Sequence, residues 1–133
     1  MTPIHLPLTG LTTLILGVLL LILTARVILY RRGHGVVYGD AGDKVLMKRI
    51  RGQQNAAEHI PVTLITMALA ELSGAPASAL WAAGALLVIG RVMHGLYFTV
   101  DGLPHRLRFW GMTLTVLAQI LLLALLAVEL VRG

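Results

Sequence analysis

The 133-residue chain contains no cysteine. That excludes a disulfide, a thiolate metal site and a protein thiol nucleophile, so any sulfur chemistry has to come from a bound molecule. Charge is also scarce: 13% of the residues are Asp, Glu, Lys or Arg, against roughly 25% in a soluble domain. Acidic residues are the scarcer kind, six against eleven Lys plus Arg. Aromatic residues make up 5% and are scattered. They form no stacking platform for bases, so the net charge of +5 does not point to a nucleic-acid partner. What is abundant is apolar side chain, 57% of the sequence, with mean hydropathy +0.84. The composition is that of an integral membrane protein with lipid as its surroundings, in a single domain covering residues 1–133.

Four apolar runs are long enough to cross a bilayer, Leu6–Tyr30, Asn55–Leu72, Ala77–Thr99 and Phe109–Val131, each near the roughly 20 residues a span needs. The expectation is an all-α fold, a bundle of four transmembrane helices. The first run has no basic residue before its apolar core and is followed by Arg26 rather than a small-residue cleavage site, so it reads as a span and not as a cleaved signal. The link Arg31–Gln54 is the longest, and its YGDAGD stretch, with Asp40 and Asp43, reads as turns. The SGAPAS link is short enough to make the second and third helices an antiparallel hairpin. Eight of the eleven basic residues flank the first and third links, Arg31, Arg32, Lys44, Lys48, Arg49 and Arg51 on one and Arg106 and Arg108 on the other. The positive-inside rule places these links in the cytoplasm and both termini outside. Glu71, near the outer end of the second run, reads as solvated. The first run contains no acid, which counts against a proton-coupled small multidrug transporter.

The second run opens on a polar stripe. In RGQQNAAEHIP, Arg51, Asn55 and Glu58 lie at i, i+4 and i+7 on one helix face, bordered by Gln54. A carboxylate facing hydrocarbon costs a few kcal/mol (about 2.5–3.5 on insertion scales), so such groups turn to a bundle interior or a polar cavity and mark function by default. Each feature also has a structural reading. Arg51 could snorkel to lipid phosphate, Asn55 and Glu58 could join helices, His94 could be a packing residue, and Arg106 and Arg108 could serve topology alone. His59 and His94 sit on separate runs and are too few to argue for a metal.

The segment KRIRGQQNAAEHIP resembles the signature of the membrane-associated proteins in eicosanoid and glutathione metabolism, the MAPEG family: Arg-x-x-x-Asn-x-x-Glu, then a proline, here Arg51, Asn55, Glu58, His59 and Pro61. GRVMHGLYF in the third run is similar to that family's Gly-Arg-x-x-His pattern, and YGDAGD is similar to the small bacterial members. The resemblance covers essentially the whole chain. It implies an inner-membrane homotrimer of four-helix subunits that holds glutathione between neighbours near the cytoplasmic side, with a hydrophobic small molecule as the second substrate.

Residue by residue, the resemblance assigns Arg51 to a glutathione carboxylate, for which a guanidinium supplies paired charge-assisted bonds. Asn55 and Glu58 match the amide and carboxylate that hold polar parts of the peptide, and Gln53 a further contact. Arg91, His94 and Phe98 form the matching stripe of the third run. Either Arg26 or Arg31 matches the arginine contributed by the first helix. A thiol with a pKa of about 8.5 must ionise before it attacks, and a nearby cation favours that. Family synthases place an arginine at the start of the fourth helix, here Arg108 or Arg106, with Arg108 preferred for its Arg-x-x-Gly context. His59 and Phe98 stand where a tyrosine is common. The implied activity is glutathione transfer to, or glutathione-dependent reduction of, a hydrophobic electrophile. The alternative on the same fold is a non-catalytic protein that binds a lipid or a thiol.

Overall fold

A computed structural model describes residues 5–132; residues 1–4 and 133 lie outside the described residues. Four helices follow one another, α1 (Pro7–His34), α2 (Lys44–Leu72), α3 (Ala77–Thr99) and α4 (His105–Arg132), and there is no strand among the described residues. The all-α bundle expected from the apolar runs is therefore present.

The helix ends follow from local chemistry. α1 opens with Pro7 in its first turn, where a missing N–H costs nothing, and closes on Gly35 in the left-handed region at φ 66°. α2 starts eleven residues before its apolar run. Asp43 caps it, accepting from the N–H groups of Val45 at 2.7 Å and Leu46 at 3.2 Å. The same carboxylate accepts the Tyr30 hydroxyl at 2.6 Å, tying the ends of α1 and α2 together. The long link is thus only residues 35–43, and YGDAGD is its turn, with positive φ at Gly39, Ala41 and Gly42. Residues 44–54 were expected to belong to the link because they are polar. Polarity there reports exit from the hydrocarbon and not loss of helix.

α1, α3 and α4 are each long and apolar enough to cross a membrane. α2 has the length, 29 residues, but not the apolarity. The four expected helices are all present, and three of them are apolar enough to cross a membrane. α2 sits between the others: it and α3 each pack on both α1 and α4, while α1 and α4 do not meet. Its polar groups are met by neighbouring helices and by cavities, which is how a helix of this composition is tolerated at membrane depth.

Two apolar clusters run along the bundle axis. One contains Leu8, Met67, Leu80 and Leu122, the other Leu16, Leu23, Ile60 and Leu87. α3 and α4 cross backbone to backbone. A Cβ on Gly90 would lie 2.8 Å from the Gly111 carbonyl oxygen, and a Cβ on Gly111 would lie 2.6 Å from the His94 nitrogen. Paired small residues of this kind let membrane helices approach closely. A Cβ on Gly52 would lie 2.6 Å from Phe98 Cβ, so that glycine brings α2 onto α3 at the same level.

Glu71 departs from expectation. It is not simply solvated: its carboxylate accepts from the backbone N–H groups of Leu8 at 3.1 Å and Thr9 at 2.8 Å. Those are free donors of the first turn of α1, and a carboxylate complements them in hydrogen bonding and in charge.

Candidate functional site

The stripe predicted on α2 opens into a polar cavity of about 420 Å³ at the basic end of the bundle. α2 supplies Arg51, Gln54, Asn55 and Glu58, α3 supplies His94 and Phe98, and α4 supplies Arg108. Arg51, Glu58 and Arg108 are exposed on the single chain and form no ion pair among the described residues. Two guanidiniums and one carboxylate are thus free to meet a ligand of mixed charge. The Arg108 guanidinium lies 5.9 Å from the centre of the Phe98 ring, close enough for a cation–π contact that positions it over the cavity.

A second cavity of about 670 Å³ adjoins the first and shares Asn55, His94 and Arg108 with it. Its remaining wall is largely apolar and belongs to α4: Phe109, Met112, Val116 and Leu117, with Thr113 and His105 beside them. His105 Nδ1 is 2.8 Å from the Tyr97 hydroxyl, which fixes the start of α4 against α3. A third hollow of about 300 Å³ shares Arg51 and Gln54 with the polar cavity and is lined further by Arg31, Asp40, Met47 and Ile50.

Behind this wall lies Arg91, fully buried and among the largest side chains of the interior. Its Nη2 donates to Asn55 Oδ1 at 3.0 Å and contacts His94 Nδ1 at 3.3 Å, while Nε and Nη1 are buried without a partner. No carboxylate forms an ion pair with it among the described residues. The Gly90–Gly111 crossing sits one residue away and sets how closely α4 covers it.

The remaining predicted residues fall into two groups. Arg31 reaches the third hollow, next to Arg51, and donates weakly to the Val37 carbonyl at 3.4 Å. Arg26, Arg106, Gln53 and His59 line none of these three cavities. Arg26 donates to the Thr99 carbonyl at 2.8 Å. Arg106 is exposed, and of the two candidates at the start of α4 only Arg108 faces the cavities. Gln53 is half-buried on the next face of α2, and its neighbour Gln54 takes the place at the cavity. His59 is turned toward α4, its Nδ1 3.1 Å from Gln119 Nε2, which also donates to Thr63 Oγ1 at 2.8 Å. Gln119 and His105 were missed. The signal for Gln119 was present as the one amide in the last apolar run.

Two proteins from Escherichia coli strains, each described as inner membrane protein YecN, are 36% identical to this chain over 99 residues, 72% of this chain and 72% of theirs. A profile of the MAPEG family matches residues 9–128, which takes in α2, α3, nearly all of α1 and α4, and every residue of the polar cavity. The chain belongs to the MAPEG family.

Proposed function

We propose that this protein binds glutathione in the polar cavity and transfers it to a hydrophobic electrophile held in the apolar cavity beside it. The observation that carries the reading is the junction. A cavity with two arginines and a carboxylate merges, through Asn55, His94 and Arg108, with a cavity walled by Phe109, Met112 and Leu117. Glutathione has two carboxylates, an α-amine and a thiol. Arg51 is suited to a carboxylate and Glu58 to the amine, as charge-assisted bonds. Arg108 lies at the junction, where a cation favours the thiolate over the thiol. The thiolate attacks the electrophile, a sulfur–carbon bond forms and the leaving group departs with its electron pair. The same thiolate would serve a glutathione-dependent reduction.

Exposure of Glu58 on one chain supports a homotrimer in which a neighbouring copy covers the cavity, since a carboxylate within an apolar run avoids lipid. The cluster of basic residues at this end supports a cytoplasmic site, and the relatives' description supports the inner membrane.

Titration calorimetry in nanodiscs tests the reading. Wild-type protein should bind glutathione, and Arg51→Ala should bind it at least about tenfold more weakly, the loss of one charge-assisted bond of about 1.4 kcal/mol or more. Unchanged affinity in a folded Arg51→Ala trimer would remove that residue from the site. Binding without thiolate formation would favour the non-catalytic alternative.

A further inference from the structure

Arginine has donors and no acceptor. That fact settles the polarity of both side chains Arg91 touches. Because Arg91 Nη2 donates to Asn55 Oδ1, the amide of Asn55 is left with its Nδ2 hydrogens to offer elsewhere. The same group lies 3.3 Å from His94 Nδ1, and a hydrogen bond there requires that nitrogen to accept, which leaves the ring proton for Nε2. Asn55 and His94 both line the two cavities. Arg91 lines neither and is fully buried, so it acts on the cavities only through these two residues.

We propose that Arg91 is a positioning residue that sets the hydrogen-bond polarity of the junction, fixing His94 as its Nε2–H tautomer and Asn55 with its amide hydrogens inward. The junction then presents only donors: His94 Nε2–H, Asn55 Nδ2–H and the Arg108 guanidinium. A wall of donors selects an atom that carries negative charge and accepts several hydrogen bonds. This inference rests on the glutathione reading above for its ligand, and the anionic atom is then the thiolate sulfur, whose proton has left to water. Among the described residues Arg91 makes no ion pair, and its side-chain hydrogen bonding is to Asn55 and His94 alone.

The tautomer can be read without any ligand. Proton–nitrogen correlation spectra of protein with isotope-labelled histidine, in nanodiscs at neutral pH, give the protonation of each ring nitrogen, and His94→Gln identifies the His94 signals by their loss. The expected pattern is a protonated Nε2 and an unprotonated Nδ1. An Nδ1–H ring, or a doubly protonated one, overturns the proposal. Arg91→Met should turn the single tautomer into a mixture; a folded variant that keeps the Nε2–H form overturns the role of Arg91. If that variant does not fold, the wild-type spectrum still decides. Ligand probes then test the wall. Glutathione sulfonate, with an anion at the sulfur position, should bind at least about tenfold tighter than S-methylglutathione, a difference of about 1.4 kcal/mol. Equal affinities overturn the selection of an anion. If neither peptide binds, the glutathione reading falls, and the tautomer spectrum alone decides the polarity of the junction.

Discussion

Glu58 and Glu71 lie on the same helix and differ in what meets them. Glu71 accepts two backbone N–H groups of α1, and its negative charge sits at a helix N-terminus. Glu58 is exposed, lines the polar cavity and has no ion pair among the described residues. The two ends of the bundle differ in the same way. At the Glu71 end, polar groups join helices around an apolar cluster. At the Glu58 end, Arg51, Glu58 and Arg108 face open space, backed by the buried Arg91. A carboxylate at membrane depth is thus not a sign of function by itself. Its partners distinguish a joint between helices from a ligand site.

That contrast can be broken in graded ways. The largest effect should come from Gly111→Val, because its Cβ would lie 2.6 Å from the His94 backbone nitrogen. Forcing α3 and α4 apart should cost about 1–3 kcal/mol or more and lower both thermal stability and glutathione affinity, measured by unfolding scans and calorimetry. Gly17→Ala, on α1 with nothing within 4 Å of its Cβ, should leave both unchanged.

Next come the two glutamates, whose variants should separate the two readouts. Glu71→Ala leaves two helix-start donors of α1 without their acceptor and should destabilise by about 1–3 kcal/mol, with glutathione affinity preserved. Glu58→Ala should do the reverse, weakening affinity by about tenfold or more with little change in thermal midpoint. If Glu58→Ala unfolds the protein and Glu71→Ala abolishes binding, the assignment of the two ends is inverted.

Much of this was legible in the sequence, and the failures have physical causes. The apolar runs marked all four helices because burial in hydrocarbon demands apolar length. They misplaced the start of α2 because Lys44–Gln54 continue the helix beyond the hydrocarbon, held by the Asp43 cap. Arg51, Asn55 and Glu58 were readable as a stripe because their spacing matches the helix period. Gln54 was readable as a border of that stripe, four residues before Glu58, whereas Gln53 came from the resemblance and lies about 100° around the helix from Gln54, off the cavity. The pairing of Arg91 with Asn55 and of His59 with Gln119 joins residues on different helices. No local pattern encodes it. Glu71 was misread for the same reason, its partners being 62 and 63 residues away.

The smallest predicted effect concerns the α1–α2 joint. The Tyr30 hydroxyl, and then the Leu46 and Val45 N–H groups, hold the Asp43 carboxyl below its ordinary value. A group whose folded value is depressed contributes stability above its unfolded value and loses it as pH falls through the folded one. Unfolding scans should therefore show a stability loss on acidification that is smaller in Tyr30→Phe and smallest in Asp43→Ala. An identical acid dependence in all three proteins would remove this cap from the account.

In the proposed function Arg108, at the junction of the two cavities, holds the bound sulfur as a thiolate. Thiolate absorbance of bound glutathione, titrated against pH in wild-type, Arg106→Ala and Arg108→Ala protein, tests it most directly. The thiol pKa should lie below the free value of about 8.5 in wild type and in Arg106→Ala, and should rise in Arg108→Ala by about one unit or more, each unit being about 1.4 kcal/mol. A wild-type thiol that ionises no more readily than free glutathione would contradict the enzymatic reading. A pKa moved by Arg106→Ala and not by Arg108→Ala would contradict the assignment of the residue.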